Sequence, residues 1–143
     1  AIFDEEIWNV AREEARAAIK SNALFEGFGS DIDNNAIDLT LSNAEKAGVG
    51  DRIDAIKRDI RDFDCDENTI IITNPHYGER LLDLTSAREL YEIMGNKFAK
   101  SNAKSMYIIS PDEDFEKHFG KKADKRRKLY NGMIKCQLFM YFK

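Results

Sequence analysis

Asn74-Pro75-His76-Tyr77 follows directly on Ile70-Ile71-Ile72-Thr73, so an amide, a rigid peptide and an aromatic stand together at the end of an apolar run. A planar exocyclic amine on a nucleobase is a poor nucleophile, because its lone pair is delocalised into the ring. Two acceptors that hold both of its hydrogens favour a pyramidal nitrogen and aim the lone pair at a methyl donor. The Asn74 side-chain oxygen and the Pro75 carbonyl are two such acceptors. Tyr77 supplies a flat surface for a base taken out of its helix. The alternative is a Pro–Gly turn that buries a ring, but such a turn does not require the amide.

Two further polar segments lie at expected strand ends. In Gly29-Ser30-Asp31-Ile32-Asp33, the Asp31 carboxylate can accept hydrogen bonds from both hydroxyls of a ribose, with Ile32 beside it. It can equally cap the following helix, the role to which Asp33 is better suited. In Arg58-Asp59-Ile60, Asp59 can accept from an adenine amine while Ile60 packs on the ring; Asp is also a common strand terminator. A third feature is electrostatic. Lys117 to Lys128 holds seven Lys or Arg and one Asp, a local charge of +6 within a chain of net charge −4. Lys121, Lys122, Lys125, Arg126, Arg127 and Lys128 are candidates for contacts with an RNA phosphate backbone, or for a solvated helix-to-strand connection.

The elements expected to position these residues alternate between strand-like and helix-like. That pattern points to an α/β fold with a mostly parallel sheet, in which ligands gather at the carboxyl ends of the strands. A helix is expected over Asp4–Lys20, with Ile7, Ala11, Ala15, Ala18 and Ile19 on one stripe. A strand is expected over Gly27–Ile32. It leads into a helix capped by Asp33, with Ile37, Leu41 and Ala44 facing inward and Gly48 closing it. Ile53–Arg58 reads as a weaker strand. Thr69–Thr73 reads as a central strand covered on both faces. Ser86 and Glu89 have capping-box spacing ahead of Leu90, Ile93, Met94 and Phe98. Ser105–Ser110 is a strand, Asp112–Phe119 a short helix stopped by Gly120, and Arg126–Phe142 an antiparallel hairpin turning at Asn131-Gly132.

With 143 residues, 43% hydrophobic and 34% charged, the chain has the balance of one globular domain. No apolar run approaches the roughly 20 residues of a membrane span. The acidic start carries no signal-peptide pattern, and the lack of an initiator Met suggests an excised piece. Cys65 and Cys136 have no metal-ligand spacing, so no metal is expected; they suit reduced thiols in a cytoplasmic protein. No phosphate-binding glycine loop is present, which ranks other nucleotide-binding enzymes low.

Asn74-Pro75-His76-Tyr77-Gly78-Glu79-Arg80 resembles the Asn-Pro-Pro-Tyr-Gly-Glu-Arg loop of THUMP-associated RNA guanine-N2 methyltransferases, most closely the bacterial large-subunit ribosomal RNA type. Gly29 to Asp33, with Asn43-Ala44 and Ala47-Gly48-Val49, resembles that family's second strand and helix. Lys122 to Gly132 resembles its C-terminal signature, so the resemblance covers nearly the whole chain. It implies a class I, Rossmann-like methyltransferase fold and S-adenosylmethionine as cofactor. It also implies ribose binding by Asp31, adenine contact by Asp59, and base holding by Asn74, Pro75 and Tyr77. The implied substrate is guanine N2 of 23S ribosomal RNA; adenine-N6 methylation and noncatalytic RNA binding are the alternatives.

Two departures accompany the resemblance. His76 replaces a proline, removing a fixed φ and adding a titratable ring. No glycine-rich cofactor turn precedes Asp4, and no THUMP region is seen. Residues 1–143 thus read as a partial catalytic domain with an incomplete sheet, lacking the first strand that the family places between those ending at Asp31 and Asn74. Closing that gap calls for sheet rearrangement or a strand from another chain, including self-association.

Overall fold

The computed structural model describes residues 4–20, 22, 24–76 and 81–143. The elements in chain order are α1 (Glu5–Ala17), β1 (Gly27–Asp31), α2 (Asn34–Lys46), β2 (Ile53–Lys57), β3 (Ile70–Thr73), α3 (Leu81–Lys100), β4 (Ser105–Ser110), α4 (Phe115–Phe119), β5 (Lys125–Asn131) and β6 (Ile134–Phe142). Strands β1 and β2 pair with each other, and the remaining four form a sheet of order β3-β4-β6-β5. The chain divides into two compact units, Ala1–Gly29 with Asp38–Ala55 and Ser30–Ile37 with Ile56–Lys143.

In the smaller unit, Asp4 caps α1 by accepting the Glu6 N–H through its carboxylate, and two glutamates occupy the positive first turn. The helix is regular, yet it buries no residue: Ile7, Trp8 and Val10 are all at least half exposed. Among the described residues, nothing covers the apolar stripe expected to face inward. Strand β1 relies on small residues, since a Cβ on Gly27 would come within 2.7 Å of the Ile53 side chain. Among the described residues here, Ala44 and Ala55 are buried. Ile37, on the same helix as Ala44, is also buried, but Leu41 is exposed, contrary to the expected inward stripe. Gly48 takes a positive φ of 71° just beyond α2, as its cap position requires.

The larger unit holds the main core. Ala87, Tyr91, Met94 and Phe98 of α3, with Phe115 and Phe119 of α4, pack on Met106, Ile108, Phe139 and Tyr141 of one sheet face. Ring centroids lie 4.5 Å apart for Phe115–Phe139, 4.4 Å for Phe119–Tyr141 and 4.8 Å for Tyr91–Phe115. Aromatic contacts of this kind add about 0.5–1.5 kcal/mol each beyond area burial. Helix α3 comes so close to the end of α4 that a Cβ on Gly95 would sit 1.9 Å from the Phe119 carbonyl oxygen.

β3 and β4 are parallel, with Ile71 opposite Met106 and Thr73 opposite Ile108. β6 runs antiparallel to both β4 and β5, so the sheet finishes in the expected hairpin. Four expectations shift. β3 is an edge strand of its sheet, and Ile70 and Ile72 are 56% and 80% exposed while Ile71 is buried. Three isoleucines indicate a strand that wants cover on both faces; they do not say which segment supplies it. Helix α3 already runs from Leu81, which places Ser86 in its interior instead of at its start. The hairpin turn is Gly132-Met133, one residue later than expected, because Asn131 pairs with Ile134. Only Gly132 has positive φ there, 59°, which is the type II′ requirement. Finally, α4 begins at Phe115; the segment from Asp112 forms the turn before it.

Candidate functional site

Strand β1 ends at Asp31, whose carbonyl accepts the Arg58 N–H just past the end of β2 at 2.9 Å. The strand ends carrying Asp31 and Asp59 are therefore joined by a direct backbone link. The Asp31 side chain accepts the Asp33 N–H through Oδ1 at 2.9 Å, and the residue is exposed. Asp33 in turn accepts the Asn35 N–H at 2.9 Å, while its carbonyl accepts from Ala36 and Ile37. Asp33 is thus the cap of α2, as its position suggested. Asp31 shapes the turn with one oxygen, and among the described residues no hydrogen bond engages the other. Ile32 stands beside it, 65% exposed.

Asp59 begins a single 3-10 turn over Ile60–Asp62. Its Oδ1 accepts the Arg61 N–H at 2.8 Å, and its Oδ2 meets the Arg61 guanidinium at 2.8 Å. The backbone hydrogen bond first, then the guanidinium charge, hold its carboxyl below the usual carboxylate range. The group is therefore an ionised acceptor at neutral pH. Each oxygen keeps acceptor capacity beyond its Arg61 bond. Ile60 is half-buried against the core, together with Phe63.

Asn74 and Pro75 leave β3 at its carboxyl end, one residue past the Thr73–Ile108 pair. Asn74 and His76 are exposed and Pro75 is half-buried. Tyr77 lies outside the described residues, as does the rest of the Gly78-Glu79-Arg80 segment. Asp31, Ile32, Asp59, Ile60, Asn74 and Pro75 all belong to the larger unit.

An ion-pair clamp fixes the neighbouring loop after β4. Arg88 donates to both Asp112 oxygens, at 3.0 and 3.2 Å, and to Asp114 at 3.2 Å. Burial works against the Asp112 charge, but the Arg88 bonds and the Asp114 N–H outweigh it and hold the carboxyl below its ordinary value. The sequence offered no local sign of this pair, which spans 24 residues.

The basic residues separate into two groups. Lys121 pairs with Asp124 at 3.6 Å, and Arg126 with Glu116 at 2.8 Å. Lys125 lies 6.0 Å over the Phe142 ring. Lys122 and Arg127 are exposed, and Lys128 approaches the Tyr130 ring at 5.6 Å. Among the described residues, no ion pair engages Arg127, Lys128 or Lys135. Because β5 runs in the same direction as β4, Lys121 and Lys122 lie toward the amino end of β4, and Lys128 toward its carboxyl end. Tyr130 and Lys135 were not singled out from the sequence. Their pairing across the hairpin becomes visible only once the turn is placed at Gly132-Met133.

Known proteins match this chain over nearly its whole length. Residues 1–139 match the RMKL-like methyltransferase domain. YpsC of Bacillus subtilis, named as a candidate RNA methyltransferase, is 36% identical over 96% of the chain. The ribosomal RNA large subunit methyltransferase K/L of Shewanella amazonensis is 34% identical, again over 96% of the chain. The chain spans 36% of the first relative's length and 20% of the second's. The solved structure of SMU.472, a candidate methyltransferase complexed with SAH, superposes with a TM-score of 0.83 at 35% identity, over 98% of this chain and 37% of that one. The match in sequence and fold, together with the Asn-Pro segment at the tip of β3, makes the chain a member of the RMKL-like methyltransferase domain family, with the α/β fold of a Rossmann-like methyltransferase.

Proposed function

We propose that this chain forms part of an S-adenosylmethionine-dependent RNA methyltransferase, acting in the cytoplasm on the exocyclic N2 amine of a guanine in 23S ribosomal RNA. The carrying observation is Asn74-Pro75 at the carboxyl end of β3 in a chain of the RMKL-like family. The relatives named as RNA and ribosomal RNA methyltransferases favour RNA as the substrate.

The exposed carboxylate of Asp31, with one oxygen outside its turn, fits a ribose diol. Asp59, held ionised, fits an amine donor such as that of adenine, and Ile32 and Ile60 offer apolar contacts on either side. These four residues would hold the cofactor, which supplies an electrophilic methyl group when bound. Asn74 Oδ1 and the Pro75 carbonyl accept the two amine hydrogens of the target base and orient its lone pair; Tyr77 stacks on the base. Lys122, Lys125, Arg127 and Lys128 contact RNA phosphates, while Lys121 and Arg126 reach them only by sharing charge with Asp124 and Glu116. The open edge of β3 takes a further strand, from the first-strand and glycine-turn segment of a complete catalytic domain or from self-association.

The test is nucleoside mass spectrometry of large-subunit ribosomal RNA treated with the full-length enzyme and its Asn74→Ala variant. N2-methylguanosine formed by the wild type and lost in the variant is expected. N6-methyladenosine as the product would move the target to adenine. RNA binding without any cofactor-dependent product would leave a noncatalytic RNA-binding domain.

A further inference from the structure

The β5–β6 hairpin is longer than the sheet that carries it. The last β4–β6 pair is Ser110–Gln137, but pairing of β6 with β5 continues through Cys136, Lys135 and Ile134. Three residue pairs and the Gly132-Met133 turn therefore stand beyond β4, an overhang of about 10 Å at the usual rise per residue. β3, β4 and β5 share one direction, so the overhang projects from the same end of the sheet as Asn74 and Pro75. At normal strand spacing, β6 and β5 lie about 10 and 14 Å to the side of β3.

The chemistry of the overhang is uniform along one face. Tyr130 sits directly across from Lys135, and Lys128 is two residues before it on the same side. Lys128 Nζ is 5.6 Å from the Tyr130 ring centroid. The ring is 64% exposed and Met133, at the tip, is 99% exposed. The same face continues into a cleft of about 260 Å³ whose lining includes Arg126, Lys135, Gln137 and Phe139. Two carboxylates also line it; Asp112 is neutralised by Arg88, and Glu113 is exposed. An exposed aromatic between two ammonium groups that no ion pair engages among the described residues matches an alternating polymer of flat bases and phosphates. It does not match a flat apolar protein surface.

Resting on the function proposed above, we propose that the overhanging hairpin is a guide arm for single-stranded RNA flanking the target base. Tyr130 stacks on a base a few nucleotides from the one held at Asn74, and Lys128 and Lys135 hold the adjoining phosphates. The arm sets which strand segment reaches the Asn-Pro loop; it takes no part in the transfer itself.

The experiment compares full-length wild type with Tyr130→Ala, Tyr130→Phe, the double variant Lys128→Ala/Lys135→Ala, and Asn74→Ala. The probe is an in vitro transcript of large-subunit ribosomal RNA. Affinity is measured over a salt series, alongside kcat and KM for methyl transfer and the melting temperature. Tyr130→Ala is expected to weaken binding about 5- to 160-fold, the range for loss of one stacked base. The loss should fall in KM, with kcat and melting temperature retained. Tyr130→Phe should stay within about twofold of wild type, since its ring still stacks. The lysine variant should flatten the log-log salt dependence by about 0.7 per lost contact. Wild-type affinity in Tyr130→Ala, or equal losses in Tyr130→Ala and Tyr130→Phe, would overturn the arm, as would a wild type that does not bind the transcript. Asn74→Ala, expected to bind normally without turnover, tests the function separately. If the wild type binds but transfers no methyl group, the function falls and the affinity series still decides the arm.

Discussion

At the residue scale, the proposed chemistry concentrates on Asn74. Its place one residue past the Thr73–Ile108 pair makes it the first group beyond the sheet at a carboxyl strand end. Loss of one oriented hydrogen-bonding group at a reacting centre costs about 3–4 kcal/mol, or 10²- to 10³-fold in rate. Asn74→Ala in the full-length enzyme is therefore expected to lose that much methyl transfer with cofactor affinity little changed. Single-turnover kinetics and calorimetric titration measure the two; near-normal transfer would remove Asn74 from the mechanism. A second residue-level prediction concerns acid. Asp112 is held below its ordinary carboxylate value in the fold by Arg88 and the Asp114 N–H, despite burial. As pH falls, the unfolded chain takes up the proton first. The contribution of the pair is complete above the ordinary value of about 3.9 and fades as pH drops through the lower folded value. Asp112→Asn should cost roughly 1–2 kcal/mol at neutral pH, since one charge-assisted pair is weakened. The gap between variant and wild type in thermal melts should narrow below about pH 3.9. A gap that stays constant into acid would assign the loss to packing instead. The positions of several candidate residues were legible from type and neighbours alone: Asp33 as a cap, Asp31 at a strand end and Asp59 just past one, Asn74-Pro75 at a tip. What the sequence concealed was competition for them. Arg61 engages both oxygens of Asp59, and Glu116 occupies Arg126; neither partner choice follows from spacing.

At the scale of elements, strands and helices were found where periodicity and glycine placed them, and β4 agrees residue for residue. Errors arose where a local signal had a competitor. The Ser86 spacing looked like a cap, but the helix continues upstream to Leu81, so Ser86 lies inside it and not at its first turn. Asn131-Gly132 looked like a turn centre, but the glycine serves as the first central residue and Met133 as the second. Nothing in the sequence marked Gly95 as special. Within an α3 otherwise rich in helix formers it permits the backbone of α4 to approach, and an added methyl would meet the Phe119 carbonyl oxygen at 1.9 Å. Gly95→Ala would gain helix propensity of about 1 kcal/mol on an isolated helix. Here it should instead destabilise, by about 1–3 kcal/mol or more, because the clash is with backbone rather than a movable side chain. Chemical denaturation measures the sign, and a stabilised variant would show that α3 and α4 separate easily. The same displacement would also disturb Phe115 and Phe119, on which the sheet face rests.

At the scale of the whole molecule, charge and apolar surface are unevenly spread. The chain carries net charge −4, yet the overhanging hairpin is cationic. The helix α1 exposes Ile7, Trp8 and Val10, and β3 exposes Ile70 and Ile72 along an open edge. On the far side of the sheet from the core, Tyr107, Ile109, Leu138 and Met140 are only half-buried. Unpaired strand edges and apolar faces of this kind favour pairing with further chain. We therefore expect the isolated 143-residue chain to bind S-adenosylmethionine weakly and to transfer no methyl group. Asp31 and Asp59 are the groups proposed above for ribose and adenine, but no described residue offers the cluster of backbone amides that a glycine-rich turn would aim at the methionine portion. Among the described residues, no strand pairs with the open edge of β3 to fix the strand that leads to Asn74. Efficient chemistry needs reacting groups placed to within about half an ångström. Recognisable motifs on an open edge do not meet that tolerance by themselves. Calorimetric titration of the purified chain with cofactor, followed by a methylation assay on unmodified ribosomal RNA, measures both halves of the expectation. Micromolar affinity together with turnover would show that the open edge of β3 does not limit the site, and that these residues are sufficient for catalysis.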